Sequence, residues 1–128
     1  MSTITRPLEG HDTLHVRLDD EYDALRASAA LARTGRSART LIKDGPLRVT
    51  LIALAPGGIM AEHQADGPIT VQPIQGKITF HVGETTHELR PGDLLTVHGG
   101  VRHSVESATG GMFLLTLAIA VFPGQAPG

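Results

Sequence analysis

A chain of 128 residues, 41% hydrophobic and 19% charged, has the length and balance of a single globular domain. Its net charge of -2 and its 3% aromatic content without Trp exclude a basic, base-stacking nucleic-acid surface. The absence of Cys excludes disulfides, thiolate metal sites and thiol nucleophiles. Residues 1–12 lack the apolar run of a signal peptide, and the longest apolar stretch, 112–122, is about half of the roughly 20 residues that a spanning helix needs. The expectation is a soluble cytoplasmic protein with neither a nucleic-acid nor a membrane partner.

The first predicted element is a helix. Asp19 or Asp20 can cap it, Tyr22, Leu25, Ala29 and Ala32 recur at helical spacing, Arg33 falls in its last turn, and Gly35 stops it. Residues 1–35 therefore read as an N-terminal segment carrying one amphipathic helix. Beyond Gly35 the chain breaks into short apolar runs separated by Gly, Pro and Asp. The spacing predicts nine strands, at 40–43, 47–54, 59–63, 69–74, 77–82, 85–89, 94–97, 103–106 and 112–121. A barrel or sandwich over 36–122 follows, with a loose tail at 123–128.

Within the strands, Ile78, Phe80 and Val82 share one face, and Lys77, Thr79 and His81 the other. His81 and His87 are expected on the strand surface. The last strand is apolar on both faces, with Phe113, Leu115 and Leu117 on one and Met112, Leu114 and Ala118 on the other. Such a strand needs two covers. The barrel interior is one, and the N-terminal helix or a second subunit is the other, so a homodimer is expected.

Two segments carry a recognisable framework. Gly57 stands six residues before His63, with Gly76 closing the segment. Gly92 stands six before His98, followed by Gly100 and His103. This arrangement resembles the paired signatures of the cupin superfamily. The stretch from Gly35 to Leu54 is similar to small bacterial stand-alone cupins. The resemblance implies an all-β, double-stranded β-helix, the cupin jelly-roll barrel, with a short N-terminal helix. It also implies a metal site of three histidines and one glutamate. This sequence departs from that set: Ala65 takes the second histidine position and Ile69 the glutamate position, while His98 replaces a proline and Ser107 an asparagine.

The candidate metal ligands are accordingly His63 and His103, with His98 as a third and Gln72, through its amide oxygen, as a fourth. Strand parity places Gln72 on the face opposite Ile69 and Val71 unless Pro73 marks a bulge. Glu62 adjoins His63 and should point away from it. Ala65, Ile69 and Val71 are expected to line a ligand cavity. The two histidines should converge, and because each sits at a strand end, alanine at either position should cost about 1 kcal/mol. Two functions are open on these residues. One is a metalloenzyme of oxygenase or isomerase type, using one divalent ion (Zn, Fe, Mn or Ni). The other is a metal-free module that binds or senses a small organic ligand.

Overall fold

The computed structural model describes residues 5–7 and 12–119. In chain order the elements are β1 (Thr5–Pro7), α1 (Leu18–Arg26), α2 (Ala29–Thr34), β2 (Arg36–Asp44), β3 (Leu47–Leu54), β4 (Gly58–His63), β5 (Ile69–Gly76), β6 (Ile78–Val82), β7 (Thr85–Leu89), β8 (Leu95–Val97), β9 (His103–Ser107) and β10 (Gly111–Ala118). The nine strands β2 to β10 match the expected runs within a few residues. They pair antiparallel, and β1 adds a short parallel edge against β2. Residues 123–128, expected as a loose tail, lie outside the described residues, as does His11.

The strands form two sheets, in the orders β1-β2-β3-β10-β5-β8 and β4-β9-β6-β7. Inward side chains of both sheets meet in one core, which includes Ile52, Leu54, Ile69, Val71, Ile78, Phe80, Val105 and Phe113. A second core lies on the outer face of the six-stranded sheet. There Leu41, Leu51, Ala53 and Met112 pack with Leu25 of α1, flanked by Tyr22, Leu31 and Leu114. Strand β10 is therefore covered twice within one chain, by the interior at Phe113 and by the helices at Met112 and Leu114. The N-terminal segment thus supplies one of the two covers expected for that face.

The N-terminal segment carries two helices where one was expected. Ser28 adopts an extended conformation and its side chain accepts the Ala30 N–H at 3.2 Å, starting a second helix. This cap rephases the apolar stripe, so Ala30 is buried and Ala29 and Ala32 are exposed. The first helix starts at Leu18 without a side-chain cap, and Asp19 and Asp20 lie in its first turn, where the helix dipole favours negative charge. Glu21 beside them is buried and sits 2.6 Å from Nε of Arg39 on β2. This ion pair pins α1 to the sheet.

Candidate functional site

Strands β4 and β9 pair so that His63 stands directly opposite His103. Residues directly opposite on adjacent strands project to the same face. The two imidazoles accordingly converge, with ring centroids 4.4 Å apart and planes at 68°. His103 is 2% exposed and lies against Phe80, 5.8 Å away and 28° from parallel. Phe80 in turn meets Phe113 edge-on at 5.8 Å. The core thus seats one of the two histidines, while His63 stays partly open to solvent.

Both rings are anchored in the same way. His63 Nδ1 lies 2.7 Å from the Ala61 carbonyl, and His103 Nδ1 lies 3.1 Å from the Val101 carbonyl. A carbonyl only accepts, so each Nδ1 carries the proton and donates. In the neutral ring that leaves the Nε2 lone pair for a ligand. Burial pushes the His103 imidazole below the ordinary histidine value. The Val101 bond opposes this shift, and the neighbouring His63 adds to it.

The rim that holds this pair is built from two glycine-containing loops. The Gly100 N–H donates to the Ala65 carbonyl at 3.0 Å. Gly99 packs so closely on Gly67 that a Cβ would lie 2.8 Å from the Gly67 Cα. Ser107, at the asparagine position of the resemblance, is buried, and its Oγ donates to the Lys77 carbonyl at 2.7 Å. It serves as a clasp between strands.

The other candidates fall elsewhere. Gln72 is exposed, on the face opposite buried Ile69, Val71 and Pro73. A bulge does occur in β5, but the register places it at Ile74, between the Phe113–Pro73 and Met112–Gln75 pairs. It comes after Gln72 and leaves that residue's face unchanged. Glu62 is turned outward and paired with Arg102 at 2.8 Å. His98 is exposed on its turn. Among the described residues no group of three or more His, Asp or Glu is placed to hold a metal. Val71 and Ile69 are 0% and 2% exposed. Both belong to the interior core, and Ala65 packs at its margin.

Two neighbours escaped the sequence reading. Phe80 is the seat of His103. His87 is directly opposite Phe80 in the β6–β7 pairing, so it projects to the inner face, where its Nε2 lies 3.2 Å from Thr85 Oγ1. The signal was present, because His87 stands two residues before buried Leu89. His81 points outward as expected, bonded to Thr86 and 3.4 Å from Glu106.

The two histidines should therefore respond unequally to alanine. His63→Ala is expected to cost about 1 kcal/mol. His103→Ala opens a buried space beside Phe80 and should cost about 2–4 kcal/mol, in contrast to the equal small effects expected from their strand-end positions. Urea unfolding of the two variants measures the difference. Stability should also depend on pH through His103. Its folded-state value is depressed, so the unfolded chain binds more protons as the medium turns acidic. The stabilisation is complete above the ordinary imidazole value of about 6.5 and is lost as pH falls through the depressed value. Wild type should lose more stability than His103→Asn between neutral pH and pH near 5, and an equal loss would exclude His103 as the source.

The family described as a cupin domain matches residues 50–119, more than half of the chain. Among solved structures, a cupin superfamily protein from Desulfitobacterium hafniense superposes with a TM-score of 0.64 at 19% identity, covering 66% of this chain and 78% of that one. A conserved protein of unknown function from Streptococcus pyogenes gives 0.65 at 16% identity, over 95% and 98%. A salicylate 1,2-dioxygenase mutant from Pseudoaminobacter salicylatoxidans, in complex with gentisate, gives 0.73 at 19% identity, over 80% of this chain and 32% of that one. These likenesses concern the fold. No curated protein matches the chain. Among the described residues, no helix is long and apolar enough to cross a membrane.

Proposed function

The chain belongs to the cupin family, and from that premise we propose that it is a binding module that holds a small hydroxylated organic molecule at the barrel mouth through His63 and His103. The observation that carries this reading is the matching anchorage of two adjacent rings. Each Nδ1 is tied to a backbone carbonyl, which leaves two Nε2 acceptors on rings whose centroids are 4.4 Å apart. A hydroxyl O–H is the complementary donor. Ala65, partly buried at the margin of the core, supplies apolar contact, as small-molecule sites require.

The donor set fits the resident metal of a four-ligand cupin poorly. Two imidazoles are present where a catalytic ion usually has three protein ligands, and the carboxylate position is Ile69. A second reading is nevertheless favoured by the ring tautomer. An Nδ1–H bonded to a carbonyl is also the arrangement that orients a metal-binding histidine, so His63 and His103 would hold one divalent ion (Zn, Fe, Mn or Ni) weakly and the organic ligand would complete its shell.

Thermal-shift titration with hydroxy acids and phenolic acids, before and after chelation, separates the readings. A ligand at a hundred times its Kd should stabilise the fold by about 2.7 kcal/mol. Stabilisation that survives chelator and disappears in His63→Ala supports direct binding. Stabilisation that needs added metal supports the second reading, and the same gain in His63→Ala as in wild type would refute both.

A further inference from the structure

An open groove of about 450 Å³ lies outside the barrel, where the ends of β3, β5 and β10 meet the helices, and its walls include Arg26, Leu31, Ala55, Pro56 and Gln75. That volume suits a small molecule. The groove is remote from the histidine pair. Gly58, the first residue of β4, bonds back to Ala55, and His63 is the last residue of the same strand, roughly 17 Å further along at the usual rise per residue.

Arg26 is the charged side chain on the groove wall. Two other arginines are neutralised by carboxylates, Arg39 by Glu21 at 2.6 Å and Arg102 by Glu62 at 2.8 Å. The close partner of Arg26 is instead a neutral amide, with Nη2 donating to Gln75 Oε1 at 2.6 Å. Asp23 is 3.9 Å away, and its side chain is 79% exposed, so solvent screens it. The amide fixes the guanidinium in place without cancelling its charge. A guanidinium has five N–H donors in a planar fork that suits a carboxylate, and the Gln75 bond occupies one of them. The remaining walls, Leu31, Ala55 and Pro56, are apolar. An inorganic anion would leave them uncovered.

We propose that this groove binds a small organic monocarboxylate, with its carboxylate on Arg26 and its hydrocarbon on Leu31, Ala55 and Pro56. The proposal is independent of the histidine pair. The test is an amide chemical-shift titration of the full chain with 4-phenylbutyrate, and with 4-phenylbutanamide as its neutral counterpart. The expected result is saturable shifts centred on Leu31, Gly76 and Gly110, with the neutral amide at least about tenfold weaker, as expected for loss of a charge-assisted hydrogen bond. Arg26→Gln should weaken 4-phenylbutyrate by a similar factor. Gln75→Glu, which puts a carboxylate on the guanidinium, should do the same and stands in if Arg26→Gln does not fold. Equal binding of acid and amide, unchanged affinity in the folded variants, shifts centred on His63 and His103, or no saturable binding at millimolar concentration would each overturn it.

Discussion

Phe80→Ala is expected to lower stability by about 3–5 kcal/mol. The ring has 0% exposure, touches Phe113 edge-on and lies against His103, so its removal empties the centre of the interior core and takes away the surface that fixes one of the two histidines. The variant should therefore lose ligand-induced stabilisation as well as intrinsic stability. Phe80→Leu keeps most of the volume but not the flat face, and should separate the two effects: a smaller stability loss together with a disproportionate loss of binding. Urea denaturation with and without ligand measures both. A Phe80→Leu variant that binds as well as wild type would show that His103 holds its orientation through the Val101 bond alone.

Glu21→Ala should be nearly as damaging, although it lies far from the histidines. Glu21 is 2% exposed, and the Arg39 side chain is 14% exposed. Removing the carboxylate leaves a guanidinium between helix and sheet with its charge uncompensated, which costs about 3–5 kcal/mol in buried pairs. Replacing both partners with apolar residues should restore much of the loss, because the penalty comes from the stranded charge rather than from the missing attraction. A Glu21→Leu, Arg39→Met double variant compared with the two single variants, by thermal and chemical denaturation, tests this. Additive losses would mean that the two residues do not act as a pair.

The barrel was legible because its turns need residues that few others can replace. Gly57, Gly76, Gly92 and Gly100, the framework glycines of the sequence, all adopt positive φ, where a Cβ is unfavourable. Gly76 also packs against the backbone of Gly110 and Gly111, so no side chain fits there. Alternation located Ile78 and Phe80 inside, and the paired histidines followed from the family resemblance that these glycines carry. Less was legible where the decisive contact is distant in sequence. The second helix depends on the Ser28 side chain choosing Ala30 N–H, a local competition that apolar spacing does not register. Glu21 and Arg39, or Arg26 and Gln75, are brought together only by the docking of α1 on the sheet. Parity argued against Gln72 as a ligand, and the position of the β5 bulge that left its candidacy open could be fixed only by the partner strand.

The fastening between the two rim loops has a consequence for how this barrel can diverge. Ala65 contributes its carbonyl to the bond with Gly100, and its methyl group is not part of that bond. Gly99, by contrast, is fixed in kind by its close approach to the Gly67 backbone. A change of side chain at position 65 therefore leaves that bond in place, whereas a side chain at position 99 would break the packing of the mouth. The inherited scaffold and the chemistry of the rim are carried by separate atoms of neighbouring residues, so a lineage of such barrels can lose and regain ligands while its architecture stays fixed.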